Sequence, residues 1–133
     1  MQELVPPRGY DLRIVVAADR VVGAVIRVSP DGEWRTNVAL GARRLPTTPP
    51  LEATELAIAA ARAVQADLVG VDLLPDGRGG WAVLELNGAV EFTEEYSLRR
   101  DVFVASRFEL AHRALGFSRD GLRARPALAV GPA

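Results

Sequence analysis

Between Val69 and Asn87 the chain has few ways to fold. Val69-Gly70-Val71-Asp72-Leu73-Leu74 and Trp81-Ala82-Val83-Leu84-Glu85-Leu86-Asn87 flank the turn Asp76-Gly77-Arg78-Gly79-Gly80. Two apolar runs this close together return on each other as a β-hairpin. Strand side chains alternate between faces, so Trp81, Val83, Glu85 and Asn87 share one. A turn centred between Arg78 and Gly79 pairs Leu74 with Val83, Asp72 with Glu85, and Gly70 with Asn87. Two carboxylates then stand opposed on one face. Like charges opposed across a ladder destabilise it, and burying either one alone costs on the order of several kcal/mol. Their strand neighbours are apolar, so this is no ordinary solvated face. A cation between the acids resolves the conflict. Two carboxylates and the Asn87 amide are hard oxygen ligands, suited to Mg²⁺ or Mn²⁺ rather than Zn²⁺, and Gly70 leaves room for a ligand. On this reading, neutralising either acid costs the metal-free chain little. A register slipped by one residue would instead send the acids to solvent or to arginine. Spacing alone leaves both open.

The rest of the chain reads as α+β. Tyr10 to Ala17 and Val21 to Val28, separated by Ala18-Asp19-Arg20, form a second hairpin, although Asp19-Arg20 is a poor type I′ turn. Ser29-Pro30-Asp31-Gly32 is a turn and Glu33 to Leu40 a third strand, while residues 41–50 read as a loop. Leu51 to Ala66 is an alanine-rich helix with Glu52 and Glu55 in its first turn, where they complement the dipole. Asp67 to Pro75 and Trp81 to Asn87 are strands. A second helix runs from Leu98 to Leu115, with Val102, Phe103, Phe108, Leu110 and Leu115 apolar and Gly116 as its stop. The expected fold is an antiparallel sheet with two packed helices in residues 1–116, and residues 117–133 form a loose tail. With 133 residues, 49% hydrophobic and 25% charged, the chain has material for one folded domain.

Composition excludes several chemistries. There is no Cys, hence no disulfide, thiolate metal site or cysteine nucleophile. All 16 basic residues are Arg, so no lysine can clamp a phosphate or form a Schiff base. A net charge of −1 offers no broad basic surface for nucleic acid. No apolar run approaches the roughly 18 residues of a membrane span, and the first residues lack the charge and apolar stretch of a secretory signal. A soluble cytoplasmic protein is the expectation.

Two further groups stand out. Arg35 and Asn37, in Trp34-Arg35-Thr36-Asn37, share a strand face, and Arg suits phosphate oxygens. Alone, this segment fits an exposed strand equally well. Asp11 and Arg13 share a face of the first strand, with Arg27 on the second, and read as a cross-strand ion pair. His112, the turn glycines and Arg99-Arg100 fit surface or turn positions and carry no role.

Taken in order, Gln2-Glu3-Leu4, Asp11-Leu12-Arg13, Arg35-Thr36-Asn37, Val69-Gly70-Val71-Asp72 and Glu85-Leu86-Asn87 resemble the C-terminal half of an ATP-grasp ligase. The branch they resemble is the RimK-like carboxylate–amine ligases, which include α-L-glutamate ligases and lysine-biosynthesis enzymes acting on an amino-group carrier protein. The resemblance covers residues 1–92. It implies that Glu3 and Leu4 hold adenine, that Asp11 lies at the nucleotide near the ribose, and that Arg35, Thr36 and Asn37 contact ATP near its phosphates. Asp72, Glu85 and Asn87 match the Mg²⁺ ligands. Arg13 and Arg27 fit the catalytic, anion-holding role.

The resemblance also implies a reaction. ATP phosphorylates a carboxylate, and an amine attacks the acyl phosphate to give an amide. The carboxylate is borne by a small molecule or a protein, and the other substrate is an amino acid. The family's glycine-rich flap and phosphate-binding lysines have no counterpart here. The chain is therefore expected to be a fragment or one part of a split enzyme, inactive without an N-terminal lobe, with an uncovered nucleotide face prone to self-association. After Asn87, glutamate ligases continue into a Pro-Gly turn, whereas Gly88-Ala89-Val90-Glu91-Phe92 sits closer to the lysine-biosynthesis branch. Two alternatives stand beside this reading. One is a restriction-endonuclease-like metal nuclease, in which Asn87 occupies the usual lysine position. The other is a degenerate, non-catalytic binding module.

Overall fold

The computed structural model describes residues 9–30 and 42–116. Five strands form one antiparallel sheet in the order β3-β2-β1-β4-β5, with β1 Tyr10–Ala17, β2 Arg20–Val28, β3 Arg43–Pro46, β4 Leu68–Pro75 and β5 Trp81–Asn87. Two helices, α1 Leu51–Ala63 and α2 Val102–Ala114, and a 3₁₀ turn Glu94–Tyr96 complete the described part. The expected class stands: an antiparallel sheet with two helices.

β1 runs down the middle of the sheet, and its alternation feeds two cores. Leu12, Ile14 and Val16 face one way, with Val69, Val71 and Leu73 of β4, and pack on Ala53, Ala57 and Ala61 of α1. These alanines recur every four residues, so α1 presents a flat stripe to the sheet. Val15 and Ala17 face the other way and pack with Val22 and Val25 beneath Tyr96 and Val102. The polar end of this second face carries the candidate site.

Local chemistry sets the corners. The β1–β2 turn is Ala18-Asp19, one residue earlier than Asp19-Arg20. Both residues have positive φ, 48° and 62°, as a two-residue type I′ turn requires without any glycine. Arg113 and Arg62 hold the Asp19 carboxylate at 2.7 and 3.4 Å. α1 stops at Ala63 rather than Ala66, because Gln65 turns left-handed at φ 55°. The amides of Ala66 and Gln65 then close back on the carbonyls of Ala61 and Arg62, a Schellman ending. In the β4–β5 turn Asp76 accepts from the amides of Arg78 and Gly80, and those bonds hold its carboxyl below the usual range.

Within the loop expected over 41–50, Arg43–Pro46 forms β3, which pairs Arg44 with Arg27 and Leu45 with Ile26. α2 begins at Val102 rather than Leu98, where Asp101 caps it by accepting from the amides of Phe103 and Val104, both at 3.0 Å. The third strand expected over 33–40 and the tail expected over 117–133 lie outside the described residues. Among the described residues no helix is long and apolar enough to cross a membrane.

Candidate functional site

Sheet register assembles the site. Asp11 pairs with Arg27 across β1 and β2, and Arg13 with Asp72 across β1 and β4. Asp72 then pairs with Glu85, and Gly70 with Asn87, across β4 and β5, as the hairpin spacing requires. Leu74 pairs with Ala82 instead of Val83. A bulge at Leu84 takes up one residue, so Val83 lies opposite Leu73. Arg13, Asp72 and Glu85 thus form one row across three strands.

The charges on this face are joined into a network. Arg27 grips Asp11 with two bonds, Nε to Oδ1 at 2.7 Å and Nη2 to Oδ2 at 2.5 Å. Arg13 grips Asp72 in the same fork, Nε to Oδ1 at 2.6 Å and Nη2 to Oδ2 at 2.8 Å. Arg27 Nη2 also reaches Asp72 Oδ2 at 2.9 Å, which links the two pairs. Asp11 is 0% exposed and Asp72 2%. The four formal charges sum to zero. The bonds to Asp72 hold Arg13 protonated even more firmly than usual, against its burial. For Arg27 burial opposes the charge, and Asp11 and Asp72 overcome it.

This corrects one expectation. The cation beside Asp72 is a pair of guanidinium groups, and Asp72 is not left facing Glu85 alone. Glu85 is exposed and makes no hydrogen bond or ion pair among the described residues. The Asn87 amide oxygen accepts from the Ala89 amide at 2.8 Å. Among the described residues no three acidic or histidine side chains gather as a metal cage. The donor set is instead two carboxylates and an amide, hard oxygens that fit Mg²⁺. A Cβ at Gly70 would stand 3.5 Å from the Asn87 carbonyl, so a glycine keeps that corner open.

Tyr96 completes the site, and the sequence reading did not find it. Gly23 makes its approach possible: a Cβ there would meet the Tyr96 carbonyl at 2.8 Å and Val102 Cγ2 at 2.6 Å. The Tyr96 ring is fully buried, Arg44 lies over it, and its hydroxyl, near the Arg13 guanidinium, has no hydrogen bond of good geometry among the described residues. Arg44 is paired in turn with Glu91. No spacing rule marks a tyrosine in a one-turn 3₁₀ segment.

Burial raises the Tyr96 phenol above its ordinary value, and the nearby Arg13, Arg44 and Arg27 oppose that only in part. A phenol whose folded pKa is raised contributes stability below its unfolded value, near 10, and loses it as pH rises through the folded value. The chain should therefore lose stability progressively above about pH 10. Tyr96→Phe should lessen that slope and change stability at pH 7 by no more than about 1 kcal/mol, since no hydrogen bond is lost. Denaturant midpoints from pH 7 to 11 check this, and an unchanged alkaline slope in Tyr96→Phe refutes it.

Of the remaining candidates, Glu3, Leu4, Arg35, Thr36 and Asn37 lie outside the described residues. His112 stacks near Phe108 on α2, away from the site. The grooves between β2 and α2 and beside Trp81 do not reach Arg13, Arg27 or Asp72.

Residues 2–106 match the RimK-like ATP-grasp domain. The chain belongs to the RimK-like ATP-grasp family. It is 33% identical over 114 residues to the alpha-aminoadipate–LysW ligase LysX of Saccharolobus solfataricus, which covers 86% of this chain and 40% of that protein. A probable alpha-L-glutamate ligase 2 of Shewanella amazonensis is 40% identical over 61% of this chain and 27% of its own length. Beta-citrylglutamate synthase B of Mus musculus is 34% identical over 63% of this chain and 22% of its own. The chain thus spans less than half the length of these relatives.

Among solved structures, the ATP-grasp ligase PsnB with a minimal precursor superposes with a TM-score of 0.57 at 26% identity, over 85% of this chain and 36% of that one. PsnB has also been solved with Mg and ADP. The D-alanine–D-alanine ligase of Bacillus anthracis, complexed with ATP, shares the fold at 14% identity and a TM-score of 0.54, over 80% of this chain and 39% of that one.

Proposed function

We propose that this chain supplies the ATP- and Mg²⁺-binding half of a ligase that joins a carboxylate to an amine. The observation that carries the reading is the row Arg13–Asp72–Glu85, in a chain of the RimK-like family. A buried ion network is no more stable than well-packed apolar residues of the same volume, so fold stability alone gives little reason for these four charges. Anion chemistry does.

In the reaction a substrate carboxylate oxygen attacks the γ-phosphorus of ATP, and ADP leaves. The amine nitrogen then attacks the acyl carbon, phosphate departs, and the nitrogen loses a proton. Arg13 and Arg27 lie on one face, positioned to bind oxygens whose charge grows during each transfer. Asp11 anchors Arg27 at the nucleotide edge. Glu3 and Leu4 hold adenine, and Arg35, Thr36 and Asn37 meet the phosphates. Asp72, Glu85 and Asn87 would hold Mg²⁺, which when bound offsets phosphate charge and orients the transferred group. The names of the relatives support an acidic amino acid as one substrate, with the other carboxylate or amine on a small molecule or a protein. The chain has no lysine to clamp phosphates, so ligation needs a companion lobe that carries them.

Nucleotide binding tests the reading. Millimolar ADP or ATP with Mg²⁺ should raise the melting temperature, since a ligand bound only by the folded state stabilises it. Glu85→Gln should abolish most of that rise. Absence of any response to Mg²⁺ with nucleotide rejects the ligase half. Metal-dependent cutting of plasmid DNA would replace it with a nuclease.

A further inference from the structure

We infer that Arg13 is a positioning residue that closes Asp72 to a bare divalent cation and releases it when a polyphosphate arrives with the ion. The inference rests on the proposed role of Asp72 and Glu85 as metal ligands.

A carboxylate offers about four lone-pair positions. On Asp72, Oδ1 accepts from Arg13 Nε, and Oδ2 accepts from Nη2 of both Arg13 and Arg27. Three of those positions are filled by the protein itself. The groups filling them carry two positive charges, so an approaching cation meets repulsion as well as a shortage of oxygens. Glu85 stands opposite without a side-chain partner among the described residues, but one exposed carboxylate is a weak ligand. The metal alone therefore finds half a site.

The two arginines are not held alike. Arg27 has both Asp11 bonds in addition to its bond to Asp72, which fix it in place. Among the described residues the Arg13 guanidinium has its two hydrogen bonds to Asp72, with the neutral Tyr96 hydroxyl nearby and no second carboxylate to anchor it. Beside its stem lies Gly70, where even a Cβ would remain 3.9 Å from Arg13 Cδ, so no side chain hems it in on that side. Arg13 is the movable member. Phosphate oxygens match the guanidinium fork as well as a carboxylate does. When a polyphosphate takes Arg13, Asp72 regains its oxygens and its full charge for the cation. Metal and polyphosphate are thereby coupled through a single side chain, and each strengthens the other's binding.

Equilibrium dialysis of the full 133-residue chain with Mn²⁺, alone and with inorganic tripolyphosphate or ADP, reads this coupling. Wild type should bind Mn²⁺ at least about tenfold more weakly alone than with polyphosphate. Arg13→Gln should tighten binding of Mn²⁺ alone by about tenfold, and Arg13→Lys, which keeps the charge but not the fork, by less. Adding Asp72→Asn to Arg13→Gln should remove the gain. Circular dichroism confirms that each variant is folded, and Arg13→Lys serves if Arg13→Gln is not. Equal wild-type affinity with and without polyphosphate overturns the inference, as does unchanged Mn²⁺ binding in both Arg13 variants. If no protein binds Mn²⁺ under any condition, the metal site fails and the inference with it.

Discussion

Replacing Arg27 by Met should cost the chain about 4 kcal/mol, a large part of the roughly 5–15 kcal/mol that holds a domain folded. The substitution strips both Asp11 oxygens of their guanidinium bonds at a position 0% exposed. It also removes one of the three bonds on Asp72. A buried carboxylate that loses its counter-charge keeps its desolvation penalty, which is why breaking one side of a buried pair costs more than the pair was worth. Combining Arg27→Met with Asp11→Leu should therefore recover more than half of the loss, since an apolar pair replaces an ionic one. Urea denaturation of the two single variants and the double closes the cycle. An Arg27→Met chain within about 1 kcal/mol of wild type would mean that the network is not a unit.

The hairpin around Glu85 was legible because two simple signals coincide there: apolar runs of strand length and a turn of unmistakable composition. Its acid pairing came out as read, and the error of one partner at Leu74 has a local cause. A bulge at Leu84 shifts the ladder by one residue, which no alternation rule displays. The helix cores were legible for the same reason as the hairpin, while their ends were not. Gln65 turns left-handed where glycine would be the usual marker, so α1 closes three residues before Ala66. β3 went unread because Arg43-Arg44-Leu45-Pro46 has neither alternation nor β-branched residues. It exists because β2 offers it a free edge.

The identity of the cation beside Asp72 was the deeper gap. Local spacing exposes a conflict of charges but not its resolution. Arg13 lies 59 residues from Asp72 in sequence, and only sheet order brings β1 between β2 and β4. The same topology carries Arg27 to Asp72 across an intervening strand. Asp11 and Arg27 were recognisable as a pair since one hairpin joins them. Tyr96 was out of reach, because its position depends on the bare backbone of Gly23.

The corrected charge pairing makes the two opposed acids unequal, and that inequality is measurable. Asp72→Asn in the metal-free chain should lose about 3 kcal/mol, because two guanidinium groups, on residues only 9% and 8% exposed, lose their shared counter-charge. In either orientation of the Asn amide, its NH₂ meets at least one guanidinium N–H donor to donor. Glu85→Gln should stay within about 0.5 kcal/mol, as an exposed side chain with no hydrogen bond among the described residues has little to lose. Opposed acids with no arginines between them would give a different pattern: both neutralisations near zero, or both stabilising. Denaturant curves for the two variants without metal separate the cases. With nucleotide and Mg²⁺ present the asymmetry should persist, since each variant lacks a ligand and neither should gain the wild-type rise in melting temperature. A metal-free Asp72→Asn as stable as Glu85→Gln would show that Arg13 and Arg27 do not hold Asp72 in solution. Loss of the nucleotide response in only one variant would remove the other acid from the site.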